Sequence, residues 1–183
     1  MTDATTAELR AERDEILDTL ARTASDHPEA PVLCGTAGEL SYRLLMTERD
    51  DEDLRLAEEA FALAFRTPGD NADWAAWRIL YAHVRAYRYD TEPSPELMDD
   101  VWALLCEGVA GLPADDAYDL VRELARQLLA PCAKQRYMDC EGPAQRRLEL
   151  LDEALRRYAD AAGDVEPGSE DAVELDVSRG YLY

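Results

Sequence analysis

The sequence predicts an all-α fold, a short α-solenoid of about seven helices paired as antiparallel hairpins, and three observations predict it. Between breakers, apolar residues recur at spacings of three and four, the period of an amphipathic helix. No segment offers a convincing strand. The chain also repeats itself: a shift of 41 residues lays Leu56-Ala57-Glu58-Glu59-Ala60-Phe61 over Leu97-Met98-Asp99-Asp100-Val101-Trp102, and a shift of 94 brings Leu150-Leu151-Asp152-Glu153-Ala154-Leu155 onto the same frame. Helix pairs that cannot bury their apolar faces alone gain a continuous core by stacking on their neighbours.

Each element has its own signal. Thr5-Thr6-Ala7-Glu8 has the spacing of a capping box, and Leu9, Ile16, Leu17 and Leu20 line a first helix over 6–24. Asp26 to Pro31 reads as a linker, limited by Pro28 and Pro31. A second helix is expected after Gly35-Thr36, running through Leu40, Leu44 and Leu45 to about Arg49. Asp50-Asp51-Glu52-Asp53 suits a helix N-terminus, where acids complement the macrodipole, and Leu56, Ala57, Ala60, Phe61, Ala64 and Phe65 follow until Thr67-Pro68-Gly69 stops them.

Asp70 or Asn71 then caps the longest unbroken pattern, Asp73 to Tyr89. Ser94-Pro95-Glu96 starts a fifth helix, with a hydroxyl cap and proline at the first position; Leu97, Met98, Val101, Trp102, Leu105 and Val109 line it to about Gly111. Pro113 and Asp115 open a sixth helix, with Leu120, Val121, Leu124, Leu128 and Leu129 inward and its end at Pro131-Cys132. Gly142-Pro143 precedes a seventh, lined by Leu148, Leu151, Leu155 and Tyr158. The expected organisation is one domain over 1–163, with a cap and hairpins at about 38–66, 73–110 and 115–162, and an acidic tail over 164–183.

Composition narrows the partners. The 183 residues are enough for one domain with a real core. Forty acidic residues against 19 basic ones give a net charge of −21, which argues against nucleic acid or an anionic membrane as partner, since both need a positive face. No apolar run is long enough to span a bilayer, and Met1-Thr2-Asp3-Ala4 lacks the pattern of a signal peptide, so a cytoplasmic location is expected. Cys34, Cys106, Cys132 and Cys140 are irregularly spaced and read as reduced thiols. Lys134 is the only lysine beside 18 arginines, a bias typical of high-GC genomes such as those of actinobacteria.

Ala57, Phe61, Ala64 and nearby Pro68 stand at the spacing of the second-helix signature of the tetratricopeptide family, and over about 38–162 the chain resembles that family of helical repeats. The segment Gly38 to Ala62 also resembles degenerate repeats of actinobacterial proteins, including those beside caspase-like domains. The consensus positions of the first helix carry Ser41 and Leu45. The resemblance implies a groove lined by the first helix of each pair.

The central helix carries two stripes. Trp77, Leu80, Val84 and Tyr87 form an apolar seam; Trp74, Arg78, Tyr81, Arg85 and Arg88 form an aromatic and cationic row beside it. On a groove, that row would bind a peptide or acidic partner segment through charge-assisted hydrogen bonds and flat apolar area. Equally, the arginines would pair with acids of neighbouring repeats. Catalytic and metal chemistry find little to stand on: His27 falls in a linker, His83 lies beside the apolar seam, Cys132 and Cys140 lack a ligand spacing, and there is no phosphate loop, so no cofactor is expected. The pairs Glu58-Glu59, Asp99-Asp100 and Asp152-Glu153 recur at one repeat position and read as a solvated face.

The expected function is a non-enzymatic protein–protein interaction module, with the acidic tail and its Tyr181-Leu182-Tyr183 as a candidate internal occupant of the groove. Two other classes compete. One is a small-molecule binder or enzyme of specialised metabolism using an aromatic and arginine-lined pocket; the other is a regulatory component of a bacterial signalling or defence system.

Overall fold

In a computed structural model, which describes residues 5–24, 26–69, 71–163, 168–180 and 182, the helices begin largely where side chains satisfy their unpaired first amides. Thr5 accepts from the Glu8 amide while the Glu8 carboxylate accepts from the Thr5 amide, and α1 runs Thr6–Arg22. Asp50 caps α3 (Asp51–Ala64), Asn71 caps α4 (Ala72–Tyr89) and Ser94 caps α5 (Pro95–Gly111). These starts fall where the residue pattern puts them. Asp70, the other candidate cap for α4, lies outside the described residues.

Three elements differ from expectation. The second helix, α2, runs Ala30–Glu48 and so begins before Gly35, because Pro31 sits in its first turn, where a missing N–H breaks no bond. Gly35 lies inside α2 rather than ahead of it, as Gly38 does, and each is a seat for an aromatic ring. A Cβ on Gly35 would lie 2.2 Å from the Trp77 ring, and one on Gly38 would lie 2.8 Å from that of Phe61. α2 closes at Arg49, which takes the left-handed conformation at φ 56° and turns the chain into α3.

The sixth helix, α6 (Asp119–Met138), follows a 3₁₀ turn at Asp116–Tyr118 and continues through Pro131 instead of ending there. Pro131 points to solvent, and its lost hydrogen bond is outweighed by Ala130, Cys132 and Ala133, all buried on either side of it. After α7 (Ala144–Gly163) the expected tail contains an eighth helix, α8 (Glu170–Gly180), with the Ala172 amide donating to Ser169 Oγ at 3.2 Å. Among the described residues the fold is therefore all-helical, with eight α-helices and no strand. None of those helices is long and apolar enough to cross a membrane.

Sequence neighbours are spatial neighbours. The most extensive contacts join α2 to α3 and α4 to α5, followed by α1 to α2 and α6 to α7. Lesser contacts link α3 to α4 and α5 to α6, and also α2 to α4 and α4 to α6. One apolar cluster joins α2, α3 and α4 around Leu45, Phe61 and Trp77; a second joins α4, α5 and α6 around Ile79, Val101 and Ala125. A third lies between α6 and α7, and a fourth seats Leu9 of α1 on Leu40 and Leu44. α4 belongs to the first two, and no side chain from Trp74 to Tyr89 is exposed.

Candidate functional site on the central helix

The apolar seam of α4 packs as its spacing predicts. Trp77, Leu80 and Val84 are buried and Tyr87 packs against them. The Trp77 indole lies over Gly35 and donates from Nε1 to Glu39 at 3.2 Å.

The second row is divided by the fold. Trp74 is 6% exposed, part of the core beside Trp77 at 5.1 Å between centroids, and presents no surface. Gly69 makes that burial possible, since a Cβ there would meet the indole at 2.2 Å. Tyr81 forms a three-ring cluster with Phe61 and Phe65, tilted against the first at 5.6 Å and stacked on the second at 5.9 Å. The three arginines remain partly exposed but all have partners within the chain. Arg78 meets Glu107 at 3.2 Å and lies 5.4 Å over the Phe65 ring; Arg85 meets Asp100 at 2.7 Å and lies 5.9 Å over Tyr81. Arg88 reaches Glu58 at 2.7 Å and Glu92 at 3.1 Å.

The row thus lies where α4 meets α3 and α5, the second helices of the first two pairs, rather than on a face of the first helices. The pairs differ in strength. Asp100 and Glu107 are 63% and 65% exposed, whereas Glu58 is only 15% exposed. Screening by water leaves the first two pairs worth under about 1 kcal/mol each. Glu58's hydrogen bond raises the Arg88 guanidinium further above its ordinary value, so that contact is the firm one.

The recurring acid pairs are also not simply solvated. Glu58 of α3 binds Arg88 in the last turn of α4, and at the position matched by the 41-residue shift Asp99 of α5, 64% exposed, binds Arg136 in the last turn of α6 at 2.6 Å. In both places an acid of one pair's second helix braces the first helix of the next pair, at the end where a cation suits the helix dipole. Spacing marked the acids as equivalent, but nothing in it marked Arg88 and Arg136 as their partners.

On the opposite side of α4, His83 Nδ1 lies 2.8 Å from the Tyr42 hydroxyl of α2. Burial lowers the His83 pKa and pushes Tyr42 up to about 12, so both are neutral at physiological pH. Because the folded His83 binds protons less readily than an unfolded histidine, its contribution to stability is complete above the unfolded value of about 6.5. That contribution is expected to fall as pH drops below that value and to level off below the folded one. Urea midpoints across this range would show the fall, and His83→Gln should remove it.

Among the described residues, no group of three or more His, Cys, Asp or Glu side chains is gathered as metal ligands would be. A cavity of about 100 Å³ lies near the start of α5 and the α6–α7 turn, lined by Asp99, Arg136, Asp139, Cys140 and Arg146 among others. Pockets that enclose a drug-sized ligand are several times larger, roughly 300–1,000 Å³. Compared with protein families, with curated proteins and with solved structures, the chain matches none of them.

Proposed function

We propose that the chain is a non-enzymatic protein–protein interaction module, a short tetratricopeptide-like α-solenoid that takes a peptide or acidic partner segment. The observation that carries this reading is the order of contacts: α2 lies against α4 and α4 against α6, while α3, α5 and α7 each pair with the helix before them. That order is the one by which stacked hairpins bury each other's faces. The repeated brace, Glu58 to Arg88 and Asp99 to Arg136, supports equivalence of the successive pairs.

Arg78 and Arg85 are the residues best suited to meet an acidic segment. Stacking on Phe65 and Tyr81 holds their guanidinium groups in place, and their exposed acids are weak enough for a partner carboxylate to replace. Arg88, committed to Glu58, and buried Trp74 are positioning residues here, with Tyr81 as the platform. The test is a pull-down from native lysate with wild type and with Arg78→Gln/Arg85→Gln side by side. A specific protein retained by wild type and lost by the variant is expected, with the variant's melting transition little changed. Equal recovery by both removes the arginine row, and no specific recovery by either moves the function to the small-molecule class.

A further inference from the structure

Resting on the interaction-module reading but concerning a second surface, we propose that the α6–α7 surface beneath residues 168–182 is a docking site for an acidic helical segment bearing a leucine. The chain's own segment is its resident, displaceable occupant.

The seat is built for one branched aliphatic side chain. Leu182 is 4% exposed, packed with Ala130 and Ala133 of α6 and Ala154 and Tyr158 of α7, with Leu151 and Leu155 alongside. Three alanines leave the space that the leucine fills. Among the described residues little else holds the segment: α8 packs on α7, yet none of its described side chains is buried, and Val173 and Val177 are exposed; the Leu175 side chain lies outside the described residues. An element with so few buried side chains among its described residues opens at lower cost than one sewn into the core.

Charge names the partner. Over Asp119–Met138 and Ala144–Gly163, α6 and α7 carry eight basic residues against six acidic ones, in a chain whose net charge is −21. Over Glu170–Gly180, α8 carries Glu170, Asp171, Glu174 and Asp176 against Arg179 alone. On α7, Arg156 and Arg157 share the single carboxylate of Glu153, and Arg147 lies 5.7 Å over the Tyr137 ring. The helix pair is thus net positive in an acidic chain and opposite in sign to α8. The side chains of Glu170, Asp171, Glu174 and Asp176 lie outside the described residues, as do Tyr181 and Tyr183. The expected occupancy of a first-helix groove by this segment is replaced, at Leu182, by a seat on the last helix pair.

The probe is a labelled peptide with the sequence of residues 168–183, titrated into the full chain and into its Leu182→Asp and Leu182→Ala variants. A tethered resident competes at an effective concentration on the order of millimolar, so the variants should bind the probe roughly tenfold or more tightly than wild type. Binding should weaken with added salt, and a probe carrying aspartate at the Leu182 position should not bind. Equal affinity for wild type and both variants overturns the proposal, as does loss of helix content in Leu182→Ala, which would make the segment integral to the fold. Salt-independent binding removes the acidic partner. A protein captured by wild type whose retention excess probe does not reduce overturns this site and leaves the interaction-module reading standing.

Discussion

Phe61→Ala is expected to cost about 3–5 kcal/mol of stability, the range for deleting a fully buried aromatic ring. Phe61 is fully enclosed where α2, α3 and α4 meet, with Leu45, Leu54, Trp77 and Val84 in the same cluster. Its ring lies so close to α2 that a Cβ on Gly38 would sit 2.8 Å from it. Neither α2 nor α4 can follow a shrinking side chain inward without dragging other contacts, so much of the lost volume persists as a cavity. The effect reaches the arginine row as well. Tyr81 loses its neighbour at 5.6 Å and with it part of the stacking that places Arg85. Urea unfolding measures the first effect and the change in Arg85-dependent partner retention measures the second. A loss under about 1 kcal/mol would mean that the cluster closes over the gap, and Phe61→Leu should fall between wild type and alanine.

Helix existence was legible wherever a cap and an apolar period agreed. Thr5 with Glu8, Asp50, Asn71 and Ser94 each sit one residue ahead of a helix, and their chemistry is local, so a sequence reveals it. The misreadings came from residues whose local preference yielded to a distant contact. Gly35 with Thr36 read as the residues before a helix, and glycine disfavours helix interiors, yet Trp77 requires the missing side chain of Gly35, as Phe61 does that of Gly38. Pro131 read as a stop, but buried alanines and a cysteine on both sides of it carry α6 onward. Both outcomes depend on tertiary partners tens of residues away.

The candidate site was half legible for the same reason. Spacing put Trp77, Leu80 and Val84 on one face and the three arginines on another, since a helix has one geometry, but it grouped Trp74 with the arginines when it packs beside Trp77. It could not choose between a ligand and Glu58, Asp100 and Glu107 as partners for the arginines, because that choice depends on where α3 and α5 pack. Nor did it reveal that Trp74 would be enclosed, which turns on a glycine five positions earlier in the preceding loop.

Arg13→Ala is likewise expected to cost about 3–5 kcal/mol, because it strips the partner from a buried carboxylate. Arg13 of α1 pairs with Asp53 of α3, their side chains 10% and 4% exposed, and Arg13 also donates to Asp14. The pair is incompletely satisfied: Asp53 Oδ2 is buried without a hydrogen-bond partner, an omission that costs about 1–3 kcal/mol. Burial outweighs Arg13 and raises the Asp53 pKa above its ordinary value. A carboxyl raised in this way contributes stability that is full below its unfolded pKa and lost as pH rises through the folded one.

Removing Arg13 should push Asp53 higher still, so the deficit of Arg13→Ala is expected to be large near neutral pH and to narrow on acidification. Replacing both partners, as Arg13→Met with Asp53→Leu, should recover most of the loss or exceed wild type, since neither charge then needs solvation. A deficit that does not change with pH, and that the double replacement does not repair, would assign the effect to the packing of the Arg13 stem on α2 and α3 instead of to a stranded charge.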